Sequence, residues 1–377
     1  MAPTGRPGSI DLSGIVPIAR LMPGELRGDK VLIPQEREAS PLYNKGAFGF
    51  PQSGGALLLD LVEATYLAET NRLSVREGKR ILTPEDLLMV ASERDRDFEI
   101  RYLVYRDLRS RGYLVKQPGE AEQHAPDFHV YPRGGFPGKT PSNYVVHAVS
   151  ERAAFRAGPL ARAAERAHAQ GKKLLVAIVD EEGDLTYYRT ALADPKGRVP
   201  AALKDLGALR AMLLADRVVA FGKAAMDGLR NTEHYGHPLG FGLQLGFAET
   251  LYLMEHAGLK VQTSERQDLT PETFRERARE LQDDFDLRYR VFCDLRERSL
   301  VGKTGFKFGT HFRAYEERPD EEHAPYLVHA VPEDYLAPWP EVSGFVRLAH
   351  GVRKSLVFAV VRETGAPAYL ELERTRP

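Results

Sequence analysis

The chain has 377 residues, of which 43% are hydrophobic and 28% charged, with a formal net charge of −1. These values exclude a disordered chain and a uniformly basic nucleic-acid coat, and the length asks for more than one ordinary core. A single cysteine, Cys293, excludes an intrachain disulfide or a cysteine-based metal cluster and reads as a small buried residue on a helix.

Residues 1–25 are rich in Gly and Pro and read as a leader without periodic structure. The leader has no apolar signal core, and no run in the chain reaches bilayer-spanning length, so the expected location is the cytoplasm and no membrane partner is expected. After the leader the chain reads twice. Leu61-Val-Glu-Ala-Thr-Tyr-Leu67 recurs as Phe247-Ala-Glu-Thr-Leu-Tyr-Leu253, and Leu82-Thr-Pro84 as Leu269-Thr-Pro271. Arg101 to Arg109 recurs as Arg288 to Arg296, Asp127 to Tyr131 as His311 to Tyr315, Tyr144 to Val149 as Tyr326 to Val331, and Lys172 to Val176 as Lys354 to Phe358. The offset drifts only from 187 (Leu82 to Leu269) to 182 (Lys172 to Lys354), which a few loop deletions explain. Several segments repeated in one order identify a duplicated domain.

Each copy predicts a short β region (Lys30 to Ile33; Arg217 to Phe221), then an amphipathic helix with a Glu-x-x-Tyr pattern. A second helix opens where Thr83 or Thr270 can cap and Pro84 or Pro271 takes the first helical position, and a third ends near Arg111 or Arg298. The rear of each copy changes to strand spacing, as in Phe128 to Tyr131, Tyr144 to Val149 and Leu174 to Val179, with an Ala-rich helix between the last two. The fold class is therefore a tandem repeat, α+β to α/β, each copy pairing a helix-rich front subdomain with a small α/β rear subdomain. The predicted boundaries are 26–115 and 116–195 for the first copy, 196–210 for a linker around Asp194-Pro-Lys-Gly-Arg-Val-Pro200, and 211–300 and 301–377 for the second.

The copies differ where chemistry is concerned. Tyr315, His323 and Lys354 of the second copy align with Tyr131, Pro141 and Lys172 of the first, and proline carries no side-chain proton donor or acceptor. The two matching positions left in the first copy thus include no group that titrates near neutral pH, while the second copy holds a phenol, an imidazole and an ammonium at all three. Those three supply a base, an acid and a cation, which suffice for metal-free RNA cleavage to a 2′,3′-cyclic phosphate and a 5′-hydroxyl. No cofactor and no metal is called for. Conversely, the acidic turn Asp180-Glu181-Glu182-Gly183-Asp184 belongs to the first copy alone and reads either as a docking element for a basic surface or as a solvated hairpin.

Gly305-Phe-Lys-Phe-Gly309, Phe312-Arg-Ala-Tyr315, His323-Ala-Pro-Tyr-Leu-Val328 and Phe345-Val-Arg-Leu-Ala-His-Gly-Val-Arg-Lys354 together resemble the catalytic domain of the archaeal tRNA-splicing (tRNA-intron) endonucleases, and a weaker likeness covers both copies. The resemblance implies a nuclease-like rear subdomain in which Tyr315 is the general base, His323 the general acid and Lys354 the transition-state cation. It implies that Arg347 helps clamp a flipped bulge base, with Tyr369 near the second clamp position or simply packed in its strand. His311 and His350 fall within the motif as structural or substrate-side residues.

The same resemblance implies precursor tRNA with a bulge-helix-bulge as substrate, and a homodimer of fused repeats. In it the turn Asp180, Glu181, Glu182 and Asp184 of one chain docks on the catalytic unit of the other. Ser299-Leu300 departs from the Gly-Tyr usual in the family. Two further readings are a non-catalytic structural subunit and a tandem RNA-binding module of a tRNA-processing complex.

Overall fold

The computed structural model describes residues 21–119, 121–200, 203–222, 226–230 and 233–377. Leader residues 1–20 lie outside the described residues, and the end of the predicted leader is already a strand, Met22–Arg27. Pro23 and Gly24 hid it. Gly24 fits because a Cβ there would stand 2.8 Å from the Val31 side chain across the antiparallel pair. Among the described residues no helix is long and apolar enough to cross a membrane.

The chain divides into two compact units, one reaching Ser150 and including Ala177–Leu185, the other formed by Glu151–Val176 and Thr186–Arg376. Within the first unit, a six-stranded sheet runs in the order Phe50–Pro51, Leu57–Asp60, Lys30–Ile33, Met22–Arg27, Leu73–Glu77, Arg80–Leu82. Within the second, His237–Leu239, Gly242–Leu245, Val218–Phe221, Arg210–Leu213, Lys260–Thr263 and Asp268–Leu269 form a sheet of the same order. Identical strand order from aligned sequences is the structural form of the duplication.

The helices Leu61–Glu69 and Phe247–Ala257, Pro84–Arg94 and Pro271–Leu281, Phe98–Ser110 and Phe285–Glu297 match pairwise. Thr83 and Thr270 each close a capping box ahead of a proline, which satisfies otherwise orphaned amide donors at both helix starts. Each copy also carries a matching ion pair, buried in the first copy and partly buried in the second. Lys116 Nζ lies 2.8 Å from Glu63 and donates to the Gly49 carbonyl at 2.9 Å; Lys303 Nζ lies 2.7 Å from Glu249 and donates to the Gly236 carbonyl at 3.1 Å. Each lysine so joins a rear-subdomain strand to the front subdomain of its own copy. Cys293 is half-buried on the helix Phe285–Glu297, where burial pushes its thiol up to about 11.

In the second unit the rear sheet runs Val301–Thr304, Phe312–Tyr315, Tyr326–Pro332, Ser355–Val361, Ala368–Thr375, Leu185–Leu192. Tyr326–Pro332 and Ser355–Val361 are parallel and joined through the helix Trp339–Gly351, a βαβ crossover inside an otherwise antiparallel arrangement. Residues 151–176, placed by sequence in the first copy, pack with the second unit. The strand Ala154–Arg156 pairs antiparallel with Leu336–Pro338, and Phe155 lies 5.3 Å from the Trp339 ring and 5.1 Å from the Phe358 ring. Burying that aromatic cluster outweighs continuity along the chain.

Candidate active site

Strand ends assemble the site. Register pairs Ala314 with Tyr326 and Tyr326 with Ser355, so Tyr315, the residues just before Tyr326, and Lys354 stand side by side at one edge of three adjacent strands. Tyr315 ends the strand Phe312–Tyr315, is 6% exposed, and packs with Val199, Val301 and Ala324. His323 is exposed in the segment that leads from the 316–322 turn into the strand Tyr326–Pro332. Lys354 follows the helix Trp339–Gly351, where Arg353 takes a left-handed φ of 55° and turns the chain into the strand Ser355–Val361.

Lys354 Nζ donates to the carbonyl oxygen of Ala324 at 2.6 Å. Ala324 therefore links all three groups: it follows His323 in the chain, accepts from Lys354, and packs on Tyr315. The Ser355 amide donates to the Pro325 carbonyl at 2.9 Å and holds the same edge closed. Partial burial and the nearby Arg313 guanidinium hold the Lys354 ammonium below the usual lysine range.

Neither of the two hollows at this edge is lined by all three groups. Tyr315 lines a cleft of about 790 Å³ with Arg217, Arg230, Arg288, Lys303 and Arg313 on its walls. Lys354 lines a smaller depression of about 420 Å³ with Arg189, His350, Arg353 and Arg374. His323 lines neither.

The turn before His323 is held by two arginines from outside it and by one bond within it. Arg230 makes two hydrogen bonds of 2.7 Å to Asp320, Arg198 pairs with Glu317, and the Glu317 amide donates to Glu322 at 2.6 Å. The predicted linker is part of this support: Gly197 donates to the Arg298 carbonyl at 2.8 Å, Arg198 to Glu316 at 2.7 Å and Val199 to Ser299 at 3.0 Å. Its Gly and Pro content suggested slack chain, but backbone donors aimed at neighbouring carbonyls make it a strap.

Arg347 is exposed on the helix Trp339–Gly351, one turn before His350. Tyr369 is 2% exposed; its hydroxyl donates to Asp294 at 2.6 Å and the Arg298 guanidinium lies 4.8 Å over its ring. The packing alternative describes Tyr369, because its polar tip already has an internal partner. His311 is also internal: it stacks on His329 at 4.4 Å and its Nδ1 accepts from the Ala330 amide at 2.9 Å. His350 lines the depression beside Lys354.

In the acidic turn, Asp180 Oδ1 accepts from the Glu182 and Asp184 amides at 3.0 and 2.9 Å, and Gly183 takes a φ of 83°. That leaves Glu181, Glu182 and Asp184 exposed on a braced turn. Sequence reasoning missed Arg313, Arg230 and the strap. For Arg313 the two-residue spacing from Tyr315 was the available signal, since alternate strand residues share a face. Among the described residues no group of three or more His, Cys, Asp or Glu side chains is placed to hold a metal ion.

Residues 22–88 and 209–275 match the tRNA intron endonuclease N-terminal domain, and residues 98–187 and 285–369 match the tRNA intron endonuclease catalytic C-terminal domain. The chain is 39% identical to the tRNA-splicing endonuclease of Methanosarcina mazei over 361 residues, covering 94% of this chain and 99% of the relative. It is 32% identical to that of Haloferax volcanii, covering 94% and 100%. A shorter tRNA-splicing endonuclease, from Thermococcus gammatolerans, is 41% identical over 164 residues, 44% of this chain but 94% of the relative, so its length is that of about one copy. With both of its domains present twice, this chain belongs to the tRNA intron endonuclease family.

Proposed function

We propose that this endoribonuclease of tRNA introns cuts precursor tRNA at bulge-helix-bulge exon–intron junctions by metal-independent transesterification. Tyr315 removes the proton of the 2′-hydroxyl, whose oxygen attacks phosphorus. The bond from phosphorus to the 5′-oxygen breaks as His323 protonates that oxygen, and Lys354 stabilises the charge on the phosphorane. The products are a 2′,3′-cyclic phosphate and a 5′-hydroxyl. Exposed Arg347 contacts the RNA beside the cut. The observation that carries this reading is the meeting of a phenol, an imidazole-bearing segment and an ammonium at the Ala324 edge.

The working particle in this reading is a cytoplasmic homodimer, in which the turn of Asp180, Glu181, Glu182 and Asp184 docks on the catalytic unit of the second chain. Its support is the braced, exposed geometry of that turn and its absence from the second copy. A dimer then presents one complete trio per chain to a substrate with two scissile bonds.

The test is incubation of bulge-helix-bulge RNA with the chain in EDTA, with end-group analysis of products and the solution mass of the particle. Cyclic phosphate ends that disappear with His323→Ala support the reading. Inhibition by EDTA, or tight binding without products, overturns the assigned chemistry, and a monomeric active particle overturns the docking role.

A further inference from the structure

We propose that Arg313 is a second phosphate-binding cation at the scissile bond, acting beside Lys354. The proposal rests on the nuclease reading above and extends it to a residue that reading leaves without a role.

Arg313 lies two residues before Tyr315 on one strand, so both side chains leave the same face of the sheet. Its guanidinium carbon is 5.8 Å from the centre of the Tyr315 ring, and both residues line the larger cleft. The Nε atom donates to the Thr304 carbonyl at 2.9 Å, which pins the fork while committing only one of its five donors. Lys354 likewise commits one of its three donors, to Ala324. Donors to spare on two fixed cations are what a bridging oxyanion requires.

The carboxylates nearby are engaged elsewhere. In the cleft, Asp320 is taken by Arg230 at 2.7 Å, Glu249 by Lys303 at 2.7 Å and Asp216 by Arg217 at 2.6 Å. In the depression beside Lys354, Glu373 is taken by Arg189 at 2.6 Å, with Glu371 3.8 Å from the same guanidinium. Register sets Arg313 opposite Leu327 and Leu327 opposite Leu356, two residues after Lys354, which brings Arg313 and Lys354 to one end of three adjacent strands. Burial first, and then the Arg313 charge, holds the Lys354 ammonium below the usual lysine range. Two like charges held together are unfavourable until an anion enters, and a phosphodiester bearing the developing charge of the transition state is the anion this reaction brings.

The experiment uses the full chain, a bulge-helix-bulge RNA, and the same RNA with a 2′-deoxy sugar at the scissile position. Single-turnover cleavage is measured for wild type, Arg313→Gln and Arg313→Lys, and binding of the deoxy RNA is measured against salt. Arg313→Gln is expected to slow cleavage about 100-fold, as removal of one transition-state donor does. It should also shallow the log–log salt dependence of binding by about 0.7 to 0.9, the loss of one phosphate contact. Arg313→Lys keeps the salt slope and recovers at least part of the rate.

A salt slope unchanged in Arg313→Gln overturns the proposal, including the case in which both variants slow equally, which is what orientation of Tyr315 alone would give. Thermal melting accompanies each variant, and Arg313→Met replaces Arg313→Gln if the latter unfolds. If the wild type binds the deoxy RNA yet leaves the ribose form intact, the nuclease reading fails while the slope still decides on Arg313. If the wild type binds neither RNA, both fail.

Discussion

Lys354 and Ala324 are joined by a 2.6 Å hydrogen bond from ammonium to carbonyl, thirty residues apart in the chain and one strand apart in the sheet. That bond ties the cation to the segment carrying His323. Replacing Lys354 by Met removes both the bond and the charge. Melting should show a loss of about 1 kcal/mol for the bond, and single-turnover cleavage a loss of about 100-fold or more. His323→Ala should leave melting unchanged, because the side chain is exposed, while cleavage falls by about 100-fold to 10,000-fold. Full activity in His323→Ala would remove the imidazole from the reaction.

Gly197 is required by its neighbours. A Cβ at this position would stand 2.0 Å from the Ser299 carbonyl oxygen and 3.0 Å from that of Glu316. Gly197→Ala must push the strap off the edge that carries Tyr315, and Val199 with it. The expected cost is about 1–3 kcal/mol in urea unfolding, the range for forced overpacking, with slowed cleavage. Wild-type stability in this variant would show that the strap carries no load.

Asp60 is buried at the start of the helix Leu61–Glu69, where one oxygen accepts from the Glu63 amide at 2.8 Å and the other has no partner among the described residues. Burial, then the adjacent Glu63 charge, raises its carboxyl to about 7. The raised value favours the protonated form in the fold. Its contribution is therefore whole below the ordinary carboxylate range and is lost as pH climbs to about 7. Asp60→Asn keeps a capping oxygen without the charge. It should melt higher than wild type at pH 8 and no higher at pH 4; a constant difference at both values would contradict the assignment.

His311 and His329 carry the opposite sign. Burial first, then for His311 its partner ring, and for both Arg288, lowers them to about 3 and about 4, with Asp284 opposing. Depressed values favour the neutral rings in the fold. The stability they contribute is present above the ordinary histidine value and is lost as pH falls toward about 4. Wild-type melting temperature should drop from pH 7 to pH 4, and His329→Phe, which keeps an aromatic ring against Phe345 and Phe358, should drop less. Parallel curves would mean that other groups dominate acid unfolding.

Much of the site was legible without coordinates, and the reasons are local. Tyr315 ends its strand and Lys354 follows its helix, as strand spacing and a helix end suggest, His323 stands in the segment before its strand, and Pro141 opposite His323 needs only alignment to be seen. What could not be read were partners distant in the chain. Tyr369 occupies an alternating strand position that suits an outward or an inward ring, and only Asp294 and Arg298 across the fold decide for the interior. Arg230 reaches Asp320 over ninety residues, and no pattern near either one announces it.

The sequence by itself determined the duplication, the capped helices behind Thr83 and Thr270, the strand periods, and which copy holds the phenol, imidazole and ammonium together. These follow from hydrogen-bond period and turn chemistry, which a few neighbouring residues set. The tertiary structure alone decided that the segment around Phe155 joins the second unit, that the strap at Gly197 braces Tyr315, and that the Arg313 guanidinium lies over the Tyr315 ring. Those outcomes depend on register and on packing between segments far apart, where buried apolar area and the pairing of polar groups are settled only once the chain has closed on itself.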